Sequence, residues 1–123
     1  MNIDITDFSG INEPIYILEE KKLRNNLKLI SNVAKDADIE IILAFKSYAL
    51  WKTFPIFKEY INATTASSLS EAKLSYEEFG SKAHTFSPAY TDYEIDEIAI
   101  CSSHLQFNSL TQYERYHERA RSA

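Results

Sequence analysis

Residues 41–51 read Ile-Ile-Leu-Ala-Phe-Lys-Ser-Tyr-Ala-Leu-Trp, with one lysine, Lys46, at the exit of an otherwise apolar run. Ammonium groups are rarely buried without a partner, and desolvation in general lowers a lysine's pKa. A lysine partly desolvated at a strand end is a nucleophile suited to condensing with an aldehyde. A strand that stops because its charge has reached water is the plainer reading of this segment taken alone. Alternation along a strand sorts the neighbours. If Lys46 faces the inside of a closed sheet, Ala44 and Ile42 face the same way, and Phe45, Leu43 and Ile41 face the helices. Ala44 then lies just below the amine, small enough for a flat ring to approach. Further along, Thr64, Thr65, Ser87, Asn108 and Ser109 fall at other expected strand exits. They are short polar side chains at matching depth, although loops also begin with polar residues for reasons of their own.

The elements that must position these groups follow from periodicity. Short β-rich runs are expected at Ile15–Leu18, Ile39–Phe45, Ala63–Ala66, Ala83–Ser87 and Leu105–Phe107. Helical stretches separate them. One runs from about Glu19 to Ala34 with Leu23, Leu27, Ile30 and Ala34 on one face, an amphipathic stripe. A second, about Ala49 to Tyr60, carries Leu50, Phe54, Phe57 and Ile61 on its face, and Pro55 implies a kink or two short pieces. Ser67 and Ser68 are cap candidates for a third helix, which ends near Gly80. Asp92–Glu97 gives the fourth an acidic start, and the last runs from Leu110 to about Arg119.

Expected strand starts fall near 15, 39, 61, 83 and 105, in steps of 24, 22, 22 and 22 residues. A βα period this regular means parallel strands with helical crossovers. Two architectures accept it: a doubly wound five-stranded sheet, or about five βα units of a (β/α)8 TIM-type barrel, which needs roughly 250 residues when complete.

Composition removes several classes. With 123 residues, 45% hydrophobic and 25% charged, the chain can bury a core. A net charge of -5 and a pI near 5.2 exclude the basic stripe of a nucleic-acid-binding surface. No apolar run approaches the ~20 residues of a membrane span, and the N-terminus has no signal-peptide pattern. Cys101 is the single cysteine, which suits a reducing, cytoplasmic compartment and a small apolar filler near a helix end. Two glycines, Gly10 and Gly80, leave no glycine-rich phosphate loop. His84, His104 and His117 are scattered without metal-ligand spacing, so no metal is expected. Lys21, Lys22 and Arg24 read as a solvated helix face, and Arg115, Arg119 and Arg121 as exposed positions on the last helix.

Five ordered motifs then carry a resemblance: Ile-Tyr-Ile-Leu-Glu-Glu at 15–20, Leu-Ala-Phe-Lys-Ser-Tyr-Ala-Leu-Trp at 43–51, Thr-Thr-Ala-Ser-Ser-Leu-Ser-Glu-Ala-Lys-Leu at 64–74, Phe-Ser-Pro-Ala-Tyr at 86–90 and Phe-Asn-Ser-Leu-Thr-Gln-Tyr-Glu-Arg at 107–115. Together they resemble the carboxynorspermidine decarboxylases, in the alanine-racemase-like, fold-III group of pyridoxal-phosphate enzymes. The resemblance implies a cofactor, pyridoxal 5'-phosphate, carried by Lys46, with Ala44, Thr64 and Asn108 beside it. Thr64 stands where ornithine-type relatives carry an aspartate, so no acid-base work is assigned to it. The substrate implied is a small polyamine, carboxynorspermidine or carboxyspermidine, decarboxylated on a route to norspermidine or spermidine, and the full-length enzyme is expected to be a homodimer.

The same resemblance implies that residues 1–123 are the N-terminal part of a longer barrel domain. The phosphate loop, the acid on the pyridine nitrogen and a C-terminal β domain would all lie elsewhere. A polypeptide of these residues alone is then expected to be inactive and to fold poorly, because open parallel edges invite aggregation. Two other readings stay open: a racemase or pyridoxal-phosphate homeostasis protein on the same half-barrel, and a small doubly wound α/β binding or signalling module.

Overall fold

Four short parallel strands, each followed by helical structure, organise the computed structural model, which describes residues 8–123. Helix α1 (Glu20–Asp36) leads into β1 (Leu43–Ala44), and a 3₁₀ turn at Trp51–Thr53 precedes α2 (Phe54–Lys58). Then come β2 (Thr64–Ala66), α3 (Leu69–Leu74), a π-helical turn (Ser75–Phe79), β3 (Ala83–Phe86), α4 (Ile95–Ile100), β4 (Ser102–Gln106) and α5 (Leu110–Ser122). The sheet order is β1-β2-β3-β4, every pair parallel. A doubly wound sheet reverses direction at a switch point. This one does not, and its buried strand residues lie on one face, so it is wound as a barrel segment is.

Local chemistry explains the boundaries. Pro55 stands in the first turn of α2, where its missing N–H costs nothing, so the expected kink is realised as two short helical pieces. Ser68 caps α3 by accepting from the Glu71 backbone N–H at 3.2 Å, while the Glu71 carboxylate accepts from Ser67 N–H at 2.6 Å. Gly80 ends the π turn at φ +73°, a conformation that a side chain disfavours. Ser109 caps α5.

The strand expected at Ile15–Leu18 is not formed: these residues have no ladder partner among the described residues, and all four are exposed. A β-branched run supplies propensity, but a strand exists through its hydrogen-bonded neighbour. The fifth expected strand, Leu105–Phe107, starts three residues earlier, at Ser102.

The core lies between sheet and helices. Leu43 and Phe45 pack with Leu27, Phe54, Phe57, Ile61 and Phe79. Leu50, expected on the same face as Phe54, is instead 48% exposed, because the 3₁₀ turn shifts its phase from that of α2. On α1 only Leu27 is fully buried, and Ile30 is exposed. Small side chains, Ala66, Ala72, Ala83 and Cys101, let α3 and α4 approach the sheet, and burial pushes the Cys101 thiol pKa up.

Helices α4 and α5 are tied by charge. Arg119 donates to Asp96 at 2.8 and 3.0 Å and to the Asp92 backbone oxygen at 2.8 Å, while Arg115 also pairs with Asp92. Arg115 and Arg119 are therefore partners within the chain and not simply free surface charges. Hydrogen bonding from Arg119 holds the Asp96 carboxyl below the usual aspartate range. A carboxylate with a depressed folded pKa stabilises the fold above its unfolded value, and that contribution is lost as pH falls through the folded value. Asp96→Asn should therefore lower the urea midpoint at pH 7 by a modest amount, with the gap closing below about pH 4. A gap that stays constant between pH 7 and pH 2 would show that the pair does not titrate as a pair.

Candidate functional site

Because all strands are parallel, their C-terminal ends share one edge of the sheet, where Lys46, Ser87 and Asn108 follow β1, β3 and β4. Strand β1 closes into a turn at 45–47. The Ala44 carbonyl accepts three hydrogen bonds, from Ser47 N–H at 2.9 Å, Ser47 Oγ at 2.6 Å and Tyr48 N–H at 3.2 Å. Phe45 is 3% exposed and locked in the helix-side core, so the adjoining Lys46 is carried on a fixed backbone and is itself exposed. The expected alternation holds for Leu43 and Phe45, which face the helices. The closed inner side considered for Ile42 and Ala44 is not formed by these strands. The face bearing Ile42 and Ala44 is open, and Lys46 is exposed in the turn that follows β1.

Register defines that open face. Ala44 pairs with Thr65, Thr65 with His84, His84 with His104 and Phe86 with Gln106. Ile42, Thr65, His84, Phe86, His104 and Gln106 line a shallow concavity of about 490 Å³ on it.

Thr64, expected beside the lysine, is on the opposite face. It is fully buried against the helices, where its hydroxyl donates to Ser75 Oγ, whose own proton goes to the Ser81 carbonyl at 2.8 Å. Two consecutive residues of a strand cannot share a face, and Ala44 pairs with Thr65, so Thr65, not Thr64, is on the face that carries Ala44. Thr64→Val should then cost about 1 kcal/mol of stability through the lost buried hydrogen bond. It should leave the reactivity of Lys46 toward an aldehyde unchanged. A large change in that reactivity would place the hydroxyl near the amine after all.

Asn108 is at the strand-exit edge as expected, and its Nδ2 donates to the Pro88 carbonyl at 3.2 Å. It thereby ties the loop after β3 to the loop after β4. Ser109, by contrast, is committed to capping α5. The sequence reading missed Tyr90. Its buried hydroxyl donates to the Gln106 carbonyl at 2.8 Å and accepts from Ser87 N–H at 3.0 Å, while its backbone N–H donates to Gln112 Oε1 at 3.1 Å. Burial raises its pKa, so the phenol stays a donor at neutral pH. Ser47 was missed too, although a serine directly after a strand-end lysine is a recognisable turn signal. Tyr48 and Trp51 read as packing: Tyr48 lies on Phe57 with ring centroids 4.6 Å apart, and Trp51 is partly exposed under Lys52.

An exposed amine, a methyl-sized neighbour and polar groups along one edge fit the covalent anchor of an aldehyde cofactor. No described segment is a glycine-rich phosphate cradle, since Gly80 serves as a helix cap. Among the described residues no helix is long and apolar enough to cross a membrane.

No family model matches the chain. Individual proteins do. A carboxynorspermidine/carboxyspermidine decarboxylase of Herminiimonas arsenicoxydans is 36% identical over 110 residues, 89% of this chain and 30% of that protein. A carboxyaminopropylagmatine decarboxylase of Synechocystis sp. is 39% identical, and a carboxynorspermidine/carboxyspermidine decarboxylase of Campylobacter jejuni 40%, each over 89% of this chain and 28% of theirs. The crystal structure of carboxynorspermidine decarboxylase from Campylobacter jejuni, complexed with norspermidine, superposes with a TM-score of 0.85 at 40% identity, over 90% of this chain and 30% of that one. The chain thus spans about 30% of the length of the curated relatives it matches. In sequence and in fold it is the counterpart of one stretch of the carboxynorspermidine decarboxylases.

Proposed function

We propose that this chain is the N-terminal part of a pyridoxal-phosphate-dependent decarboxylase of polyamine biosynthesis, acting on carboxynorspermidine or carboxyspermidine. The observation that carries this reading is the likeness to the norspermidine-complexed enzyme, 40% identical with a TM-score of 0.85. Residues 1–123 would form the first βα units of its barrel domain, the working enzyme would be a homodimer, and its location would be cytoplasmic, which the lone thiol of Cys101 suits.

Lys46 is the covalent anchor. Its Nζ is the amine that would hold the cofactor through the aldehyde. Ala44, at the end of the strand that leads into Lys46, leaves the space a flat ring would need, and Thr65 flanks that space on the neighbouring strand. Phe45 and Ser47 hold the backbone on either side of Lys46, so the amine approaches from a constant direction. Asn108 and Tyr90 fix the loops after β3 and β4 that form the rim. When bound, pyridoxal phosphate supplies the electron sink that takes up the bonding pair left as carbon dioxide departs. The phosphate would be held by segments other than those described.

A chimera tests the reading: residues 8–123 replace the matching stretch of the Campylobacter jejuni enzyme. Borohydride reduction with pyridoxal phosphate should fix a pyridoxyl label on Lys46, and the chimera should release carbon dioxide from carboxynorspermidine. Faster release from carboxyaminopropylagmatine would favour the activity of the Synechocystis relative. A soluble, folded chimera that takes no label at residue 46 would defeat the proposal.

A further inference from the structure

The segment Phe-Ser-Pro-Ala-Tyr at 86–90 leads from the last residue of β3 into its exit loop. Tyr90 folds back from that loop, and its buried ring packs with Ile95 and Ile98 of α4 and Tyr116 of α5. Its hydroxyl stands between the ends of β3 and β4. These partners all belong to this chain, away from the open face of the sheet.

The ladder shows what the hydroxyl replaces. Ala83 is level with Ser102, and its N–H donates at 2.9 Å to the carbonyl of the residue before, Cys101. Phe86 and Gln106 form the last pair. One step on, Ser87 would be level with Phe107, and the same rule would send its N–H to the Gln106 carbonyl. Instead the Tyr90 hydroxyl accepts from Ser87 N–H at 3.0 Å and donates to the Gln106 carbonyl at 2.8 Å. The Thr85 carbonyl, 3.4 Å away, is a distant second acceptor for its one proton. A hydroxyl inserted into a rung ends the ladder with both backbone groups satisfied. It also keeps the strand exits further apart than a direct rung would, because two hydrogen bonds in series replace one. The loop is braced around this point. Ser87 Oγ donates to the Ala89 carbonyl at 2.9 Å, Asn108 Nδ2 to the Pro88 carbonyl at 3.2 Å and Tyr90 N–H to Gln112 Oε1 at 3.1 Å.

We propose that Tyr90 is a positioning residue for the substrate: its hydroxyl, inserted into the last β3–β4 rung, holds the two exits apart and fixes the rim along which the substrate's polyamine chain lies. The role assigned to Tyr90 rests on the decarboxylase reading and adds a residue to it. Lys46 follows β1, two to three strands away, roughly 10–15 Å at the spacing of adjacent strands. A polyamine chain spans that distance, whereas an aldehyde carbon held on Lys46 does not. The hydroxyl therefore acts through the loop on substrate binding and not on the amine.

Tyr90→Phe in the chimera tests this, because it keeps the ring and deletes one oxygen. Ser87 N–H and the Gln106 carbonyl can then close the rung, and the rim narrows. The KM for carboxynorspermidine should rise roughly ten-fold, the scale of one lost hydrogen bond. The kcat and the borohydride labelling of Lys46 should stay within about two-fold of the parent, the signature of lost binding alone. A merely structural role would lower label and kcat together, through less folded enzyme, and leave KM unchanged. Gln112→Ala removes the acceptor of the Tyr90 backbone N–H. It should raise KM in the same direction, and it reads the same loop if Tyr90→Phe does not fold. Tyr93→Phe, at a ring 96% exposed, should change none of the three quantities. Unchanged KM in Tyr90→Phe and Gln112→Ala overturns the proposal, and so does a fall in labelling or kcat at constant KM. A parent chimera that takes no label at Lys46 defeats the decarboxylase reading and this role together.

Discussion

Lys46→Ala in the chimera is expected to remove the pyridoxyl label at that position and to lower carbon dioxide release by about three orders of magnitude or more, the scale of losing a covalent step. Lys46→Arg should be as inactive. A guanidinium keeps the charge but does not deprotonate to a nucleophile, so the pair of variants separates a requirement for an amine from one for a cation. Lys52→Ala, which alters only a lysine packed over Trp51 at 5.5 Å, should leave both readouts in place. If Lys46→Arg kept substantial turnover, residue 46 would act through its charge alone, and the covalent role would have to pass to another lysine.

The size of that effect depends on how rigidly the amine is presented. Phe45 is packed in the core, and the Ala44 carbonyl collects three donors from the next turn. The backbone carrying Lys46 is therefore fixed on both sides, although the side chain itself is exposed. Exposure on the open face is a property of these four strands. A closed barrel would cover that face with its remaining strands and supply the desolvation that these residues do not provide.

How much of this was legible in the sequence varies from strand to strand, for a physical reason. Around β1 the alternation of Leu43, Ala44 and Phe45 is strong, because two large apolar residues bracket a small one, and the faces of these three were assigned correctly; Lys46 lies in the turn beyond, where strand alternation no longer applies. In β2 the segment is Thr-Thr-Ala, and nothing in two adjacent threonines says which one turns toward the helices. Thr64 is the buried one because its hydroxyl finds Ser75 there. Strand β4, Ser-Ser-His-Leu-Gln, has almost no apolar period, and a register shift at Ala83/His84 breaks the count. Its start was misplaced by three residues, and the neighbouring of His84 and His104 stayed hidden. The Ile15–Leu18 run shows the converse: its residues have the composition of a strand but no partner to pair with. Tyr90 was invisible because its contacts to Ser87 and Gln106 come from the turn of the chain between β3 and β4, not from any local pattern.

The second large effect is on stability. Phe54 opens α2 and is fully buried, its ring 5.2 Å from Phe45 and 5.3 Å from Phe79 between centroids, with Phe45 and Phe79 themselves 6.4 Å apart. Three rings, from the turn after β1, from α2 and from the π turn after α3, thus meet at one point, and Phe54 joins the other two. Removing a buried phenylalanine ring typically costs about 3–5 kcal/mol, the transfer free energy plus the cavity left behind. Lost ring–ring contacts belong to the same loss, at about 0.5–1.5 kcal/mol per pair. Read in the chimera, where these residues sit in a complete barrel, Phe54→Ala should therefore shift the urea midpoint clearly to lower denaturant. Phe54→Leu keeps most of the volume and should cost clearly less. Phe86→Ala, on the open face and 40% exposed, should cost less still. If Phe54→Ala were no worse than Phe86→Ala, the sheet could not be packed on α2 through this ring. Phe45 would then no longer hold the backbone beside Lys46, and the amine would lose its fixed direction along with the core.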